Sequence, residues 1–180
     1  MIRITKDSAV SLHSKCKEVE MPLSKENEET LEEMLSYLID SQDPNYREAH
    51  PKCREGVGLA APQIGKNLRM LVVHYLKEEG EVTHCLVNPK VIANSVKKCY
   101  LSSGEGCLSV DSPHPGYVYR DYRITVKAYD SKLGFEVTIR ATGFDAIVLQ
   151  HELDHLDGIL FYDRIDKENP MKIIPGAIAI

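Results

Sequence analysis

The strongest chemical signal in this sequence is the run QHELDH at residues 150–155. In a helix of 3.6 residues per turn, positions four apart differ by about 40° around the axis, so His151 and His155 project from one face. Two imidazoles placed in this way can hold one divalent metal ion, and Glu152 can reach a metal-bound water without being a ligand itself. Because the predicted helix is otherwise largely apolar, a metal site is favoured over two solvent-facing histidines.

The third protein ligand is missing from its usual places downstream of this motif. The H-E-x-x-H-x-x-G-x-x-H plan needs a histidine three residues after the glycine, but Phe161 stands three residues after Gly158. A downstream glutamate is the other protease plan, and Glu168 in a polar segment is a weak candidate. Upstream, Cys107 is the best placed, because glycines such as Gly106 let the backbone approach a metal and a thiolate binds soft or borderline ions. A buried structural cysteine is the competing interpretation.

A further stretch, GVGLAAPQ at residues 56–63, combines small residues with one amide side chain. It can form a strand edge that admits an extended peptide, with Gln63 donating a hydrogen bond to an oxyanion. The alternative is a packing loop whose small residues allow close helix contact. Considered alone, the stretch favours that alternative.

Together these stretches resemble the peptide deformylase family, which is marked by G-x-G-L-A-A-x-Q, E-G-C-L-S and Q-H-E-x-D-H-L-x-G in that order. They occur here at residues 56–63, 105–109 and 150–158. The polar segment before Gly56 resembles the longer variant of the family, common in Gram-positive bacteria. The resemblance implies a metallohydrolase acting on a linear amide, which removes the N-formyl group from the formylmethionine of nascent polypeptides and releases formate.

The resemblance also implies a role for each site residue. The implied metal ligands are Cys107, His151 and His155, with water in the fourth position. Glu152 would act as general base and then as general acid. The side chain of Gln63 and the backbone N–H of Leu108 would hold the oxyanion. Fe²⁺ is the implied physiological ion, although a Cys-His-His set would also accept Zn²⁺, Ni²⁺ or Co²⁺.

An apolar wall beside the metal is predicted by the helix periodicity. Ile147 and Val148 lie four and three residues before His151 and share its face, and Phe144 lies a turn further back. Such a wall suits an unbranched side chain such as methionine, although ordinary core packing explains Ile147 equally well. The residues predicted to contact the peptide are Val57, Gly58, Gly106, Leu108, Phe144, Val148 and His151.

Two other classes of protein share part of this pattern. A zinc endopeptidase would use the same helix motif, but Phe161 speaks against its third ligand. A non-catalytic binding module could hold a structural metal, which is expected to have four protein ligands and no open position. Glu152 and Gln63 have no role in such a site and argue against it.

The elements that must position these residues indicate an α+β fold. An N-terminal helix is predicted from the N-cap Ser24 to near Ser41, with an apolar stripe of Leu31, Met34, Leu35, Leu38 and Ile39. The polar stretch from there to Glu55 is predicted to be a long surface loop. Strands are expected at 68–75, 82–87, 123–129 and 135–140, in two hairpins. The last helix begins near 142–143 and is stopped by Gly158. We therefore expect a mostly antiparallel sheet packed around a central metal-binding HExxH helix, with an additional N-terminal helix.

The bulk composition limits the remaining choices. A chain of 180 residues, 43% apolar and 27% charged, fits a single catalytic domain over 1–180. The net charge of −5 argues against DNA binding through bulk positive charge, and no apolar run approaches the roughly 18 residues of a membrane span. Five cysteines without a C-x-x-C pair and a start without a signal-peptide core favour the reducing cytoplasm.

Two features of the predicted surface concern partners. The apolar tail at 173–180 is expected to pack on the body of the protein or on a partner chain. The implied partner is an N-formylmethionyl peptide. Contact with the ribosome near the nascent-chain exit would require a local basic patch, because the chain as a whole is acidic.

Overall fold

The computed structural model describes residues 2–180 of the chain. Within that range, three α-helices and eight β-strands alternate with short 3₁₀ turns. The helices are α1 (Lys25–Gln42), α2 (Pro44–Ala49) and α3 (Phe144–Leu156). The strands are β1 (Gly58–Ala60), β2 (Met70–Lys77), β3 (Gly80–Asn94), β4 (Lys98–Tyr100), β5 (Arg120–Asp121), β6 (Arg123–Asp130), β7 (Phe135–Thr142) and β8 (Ile178–Ala179).

The strands form two sheets, and α3 packs against both of them. The larger sheet has the order β1-β2-β3-β6-β7 and all of its pairings are antiparallel. The smaller has the order β5-β4-β8, with β4 and β8 parallel. Helix α3 packs against β1, β2 and β7 of the first sheet and against β5 of the second. The expected α+β class with a mostly antiparallel sheet is confirmed.

Strand β2 shows that the larger sheet is covered on both faces. Because successive side chains of a strand point to opposite faces, Leu71 and Val73 join the core beneath α3. Met70 and Val72 join the second core, beneath α1. The sequence of β2 is almost continuously apolar because both faces of the strand are buried, one beneath α3 and the other beneath α1.

Both expected hairpins are present, but β3 is much longer than the sequence suggested. Its Asn88-Pro89 pair looks like a strand end. Instead, Asn88 adopts a positive φ of 52° and the pairing with β6 is interrupted by register shifts beside it. The side chain of Asn88 bonds both backbone polar groups of Val19, at 2.8 and 2.9 Å. This bulge lets β3 bend and continue to Asn94.

The N-terminal helix differs from its prediction at one position on its surface. Ser24 caps α1 by accepting a hydrogen bond from the Asn27 N–H at 3.3 Å, and Leu31 and Met34 are buried as expected. Ile39 was predicted to face the core, but it is 47% exposed. The apolar stripe is therefore narrower than its spacing implied.

The predicted long loop from residue 43 to Glu55 was wrong in its first half, which forms α2. Asp43 accepts a hydrogen bond from the Asn45 N–H at 2.9 Å, and Pro44 occupies the first helical position. An acidic N-cap followed by proline is a helix-start signal that the polar composition concealed.

The end of the apolar tail pairs with the body of the chain, while Ile173 and Ile174 stay exposed. Strand β8 pairs with β4, and Ile180 extends this pairing by bonding to the carbonyl of Tyr100 at 2.9 Å and accepting from the Ser102 N–H at 3.0 Å. No helix in residues 2–180 combines the length and the apolar character needed to cross a membrane.

Candidate metal centre and active site

Nine of the thirteen residues of helix α3 are buried, and the polar Glu152, Asp154 and His155 are among them. The helix projects His151 and His155 toward Cys107, and the ligand atoms of the three residues all lie within 4.8 Å of one another. The Cys107 Sγ is 3.3 Å from the His155 Nε2. A tetrahedral ion such as zinc, with bonds of about 2.3 Å to sulfur and 2.0 Å to nitrogen, holds these donors about 3.5 Å apart. The donor set therefore fits one first-row divalent ion.

The ring of His151 is fixed from two sides. Its Nδ1 is 2.8 Å from the Glu105 Oε2, which leaves Nε2 for an ion. Phe161 stacks on the ring with centroids 6.1 Å apart and an interplanar angle of 18°. Phe161 therefore packs against a candidate ligand, while Glu168 is exposed and lies outside the donor group.

A buried ionic network supports this arrangement. The Arg120 guanidinium donates to both Glu105 oxygens, at 2.6 and 2.8 Å, and to the Asp154 Oδ2 at 2.9 Å. Arg164 adds a hydrogen bond of 2.6 Å to the Asp154 Oδ1. Burial alone would raise the pKa of Glu105, but its hydrogen bonds with Arg120 and His151 lower that pKa to about 2. Glu105 thus stays ionised and holds the imidazole of His151 in one orientation.

Glu152 is a buried carboxyl whose Oε2 has no hydrogen-bond partner among the described residues. Burial raises the pKa of Glu152 to about 7, against the lowering effect of His151 and Arg120. A carboxyl with a pKa near neutrality can both take up and release a proton. Gly58 packs close to this carboxyl, because a Cβ added at Gly58 would lie 2.3 Å from the Glu152 Oε1. The absence of a side chain at Gly58 therefore makes room for the carboxyl.

The amide of Gln63 is oriented by its own backbone surroundings. Its Oε1 accepts a hydrogen bond from the Ala60 N–H at 2.8 Å, so the Nε2 must point the other way. That nitrogen lies 3.5 Å from the Cys107 Sγ and 3.3 Å from the Ser109 Oγ. A hydrogen-bond donor is thus aimed at the candidate metal centre.

The strand-edge segment that precedes Gln63 is tied to the end of α1. The Gly56 N–H donates to the Ser41 Oγ at 3.2 Å, and the Gln42 side chain donates to the Gly56 carbonyl at 2.9 Å. Strand β1 then pairs with β2 at the end of the larger sheet and packs against α3. The N-terminal helix therefore sets the position of one wall of the site.

A cleft of about 470 Å³ opens above these groups. Phe144 is 37% exposed at its wall and meets the ring of Tyr75 edge to face. For Ile147, the sequence left ordinary core packing as an equal alternative. The side chain lines the cleft and is almost fully buried. All seven residues predicted to contact a peptide line this cleft: Val57, Gly58, Gly106, Leu108, Phe144, Val148 and His151.

Sequence reasoning missed the charged residues that surround the centre. Glu105 and Asp154 stand inside the motifs, and a carboxylate in so apolar a helix as α3 was a usable signal of a buried partner. Arg120 stands in the sequence without any motif, and Arg54 was assigned only to a polar loop. Their roles depend on contacts between distant parts of the chain.

Comparison with known proteins agrees with this geometry over nearly the whole chain. The polypeptide deformylase family model matches residues 1–171. The chain is 50% identical over 179 residues to a peptide deformylase of Macrococcus caseolyticus, covering 98% of this chain and 96% of that one. It is 47% identical over 181 residues to peptide deformylase 2 of Bacillus subtilis, covering 100% and 97%.

The fold is likewise similar to that of solved structures. The peptide deformylase of Ehrlichia chaffeensis in complex with actinonin has a TM-score of 0.72 and 31% identity, with 94% of this chain and 91% of that chain covered. The matches in sequence and in fold therefore point to the same family. The chain belongs to the peptide deformylase family, the metal-dependent hydrolases that remove the N-formyl group from nascent polypeptides.

Proposed function

We propose that this chain deformylates N-formylmethionyl peptides with one divalent ion held by Cys107, His151 and His155, and that α3 is the metal-binding helix at the centre of the fold. The observation that carries this proposal is the convergence of a thiol and two imidazoles beside Glu152, whose Oε2 has no hydrogen-bond partner within residues 2–180. Three protein ligands with a fourth position open are the pattern of a catalytic site, whereas a structural site is closed by four.

Fe²⁺ is the ion we propose for the cell, with Zn²⁺, Ni²⁺ or Co²⁺ able to take its place. The donor set supports a borderline or soft ion, because it includes a thiolate and two imidazoles. When bound, such an ion would lower the pKa of a coordinated water and polarise the formyl carbonyl. We expect exposure to air to lower activity, through oxidation of iron or of the Cys107 thiolate.

The protein side chains divide the proton and charge transfers between them. Glu152, the proposed general base, takes a proton from the attacking water and later delivers it to the leaving nitrogen. The raised pKa of Glu152 supports both transfers near neutral pH. The Gln63 amide and the Leu108 backbone N–H donate to the carbonyl oxygen as negative charge develops on it. One water and one formamide thereby yield formate and a free amino terminus.

The cleft accounts for the choice of the first residue. In this proposal, the methionine side chain packs against Phe144, Ile147 and Val148, and the peptide backbone runs past Val57, Gly58 and Gly106. The contact with Leu108 closes the pocket from the opposite side. An apolar wall beside the metal centre favours an unbranched apolar side chain, since burial of its surface adds to binding.

Three broader assignments belong to the same proposal. Residues 1–180 form one catalytic domain, supported by a family match over 1–171 and by two cores that share one sheet. The protein acts in the cytoplasm, where formylated chains are made. Any contact with the ribosome near the nascent-chain exit uses a local basic patch, because the net charge is −5.

The test is formate release from formyl-Met-Ala-Ser by protein prepared anaerobically with Fe²⁺ or Ni²⁺. We expect rapid release that is lost in Glu152→Ala while the metal content stays that of the wild type. Acetyl-Met-Ala-Ser is the matched control and should be a far poorer substrate. Cleavage of internal peptide bonds without preference for the formyl group, or loss of the metal from Glu152→Ala, would contradict the proposal.

A further inference from the structure

Arg54 lies at the mouth of the cleft with its guanidinium against the segment that carries Cys107. Its Nη2 donates to the carbonyl of Cys107 at 2.9 Å and to that of Leu108, and its Nη1 donates to the carbonyl of Val110 at 3.0 Å. One planar group thus gathers three carbonyls from four successive residues. The family motifs do not contain this arginine, which stands two residues before the first of them.

The segment held by Arg54 has little regular structure of its own. Strand β4 ends at Tyr100 and β5 begins at Arg120, and the intervening residues 101–119 form neither helix nor strand. Close to Cys107, the backbone bonds are those of Asp7 to the Ser109 carbonyl at 2.9 Å and of Val110 to the Cys107 carbonyl at 3.2 Å. A segment without a ladder of hydrogen bonds depends on side chains to fix its peptide planes.

The orientation of one peptide unit links Arg54 to the reaction. The Cys107 carbonyl and the Leu108 N–H belong to the same trans peptide. Both bonds therefore lie in one plane and point in opposite directions. An arginine that holds the carbonyl therefore also aims the N–H, away from the guanidinium. That N–H is the proposed oxyanion donor, and Cys107 is the proposed ligand on the same unit.

We infer that Arg54 is a positioning residue for the metal centre. It fixes the Cys107–Leu108 peptide so that the thiolate faces the two histidines and the Leu108 N–H faces the reacting carbonyl. This inference rests on the ligand and oxyanion roles proposed above. It assigns Arg54 no contact with the ion or with the formyl group.

The chemistry of the side chain explains why lysine would not serve. A guanidinium presents several N–H donors in a rigid plane, whereas an ammonium group is a single point of charge on a flexible stem. Asp111 lies 3.4 Å from the Arg54 Nη2 and also pairs with Lys6 at 2.8 Å, so a lysine at position 54 would keep its ionic partner. Arg54→Lys therefore removes the planar set of N–H donors and preserves the positive charge.

The experiment compares Arg54→Lys and Arg54→Ala with the control Arg47→Ala. Arg47 is also an arginine of this polar region, but it contacts the Ser41 carbonyl and Glu55 instead of the metal segment. Three quantities are measured in each variant: kcat and KM for formyl-Met-Ala-Ser, the thiolate-to-metal absorption band of the Co²⁺-loaded protein, and the Tm of the metal-free protein.

In Arg54→Lys, we expect kcat to fall about tenfold or more, because residues that orient a metal ligand or an oxyanion donor have effects of this size. The cobalt absorption band should change, while KM and Tm stay close to those of the wild type. Arg54→Ala should show the same changes more strongly, and Arg47→Ala should leave kcat and the band as they are.

An unchanged kcat and cobalt band in Arg54→Lys would overturn the inference. A second result would also overturn it: in Arg54→Lys, kcat and Tm fall together while the cobalt band keeps its wild-type form. That result is expected of a purely structural contact. The band is independent of turnover. A wild-type protein that releases no formate would therefore overturn the proposed function, while the cobalt spectra would still decide the role of Arg54.

Discussion

The two sides of the metal centre are held in different ways. On the helix side, His151 is oriented by Glu105, and Glu105 is paired with Arg120; the side chains of both partners are 2–3% exposed. On the loop side, Cys107 stands in an irregular segment gathered by Arg54, whose side chain is 44% exposed. Glu105, two residues before Cys107 in the same segment, is fixed in the core, whereas the part of the segment from Cys107 to Val110 is fastened at the surface by Arg54.

This difference in burial determines whether ion pairs or hydrogen-bond geometry hold each side in place. In the buried network, Glu105, Arg120 and Asp154 each have two partners at short range and little screening by water, so the loss of one of them leaves another charge uncompensated. At the surface, ion pairs are screened and contribute little, so geometry rather than charge must do the positioning. Removal of a charge should therefore have a strong effect on the helix side. On the loop side, the strong effect should come from removal of the hydrogen-bonding geometry of the Arg54 guanidinium.

The largest effect is expected for Glu105→Gln. Because Arg120 would lose an ionised partner in the core, the free energy of unfolding should fall by about 3 kcal/mol at neutral pH. The metal affinity should fall about 10- to 100-fold, since the His151 imidazole loses its carboxylate partner. Chemical denaturation and a chelator competition measure the two quantities.

The pH dependence of this variant sharpens the same point. Glu105 has a folded-state pKa of about 2, below its ordinary value of 4.5, so its contribution to stability is fully present above pH 4.5 and is lost as the pH falls toward 2. The stability gap between the wild type and Glu105→Gln should close over that range. Glu55→Gln, at an exposed ion pair, is the control; an equal effect from both variants would contradict the comparison.

An intermediate effect is expected where the two sides approach each other, in Gly58→Ala. The new Cβ would lie 2.3 Å from the Glu152 Oε1, so the carboxyl must move. We expect kcat to fall about 10- to 100-fold with the metal content unchanged, because a displacement of about 1 Å in a catalytic group has this effect. Steady-state kinetics and metal analysis provide the measurement.

Gly106→Ala is the matched comparison for Gly58→Ala. Among residues 2–180, a Cβ at Gly106 would meet no atom within 4 Å apart from its own chain neighbours, so Glu152 should stay in place and any change should fall on KM. If the two alanines lowered kcat equally, the effect could not come from displacement of Glu152.

The smallest effect is expected for Asp111→Asn on the loop side. This change removes the ion pairs with Lys6 and Arg54 but keeps the three hydrogen bonds from Arg54 to the backbone carbonyls. The Asp111 side chain is 63% exposed and its ion pairs are screened by water, so the free energy of unfolding should change little, with kcat retained. A large loss of kcat would mean that the ion pairs, and not the hydrogen bonds of the Arg54 guanidinium, fix the segment that carries Cys107.

The parts of the molecule that the sequence predicted are those with short-range signals. The helix of His151 and His155 follows from spacing within two turns, and the two hairpins follow from turn residues between alternating strands. A mostly antiparallel sheet in an α+β fold could be predicted from the order of these elements.

The remaining features arise from contacts that no local pattern contains. Arg120 meets Glu105 and Asp154 only because β5 and α3 come together in the fold. The bulge at Asn88 depends on Val19, far away in the sequence, and the parallel pairing of β8 with β4 joins segments almost eighty residues apart. Such long-range contacts also explain why the role of Arg54 emerges from the structure alone.

The most direct test of the central claim is X-ray absorption at the metal edge of the Co²⁺- or Zn²⁺-loaded protein, measured for the wild type and for Glu152→Gln. We expect one sulfur, two imidazole nitrogens and one solvent oxygen in both proteins, with formate release lost in the variant. Loss of an oxygen ligand in Glu152→Gln, or a metal shell without sulfur, would contradict the account.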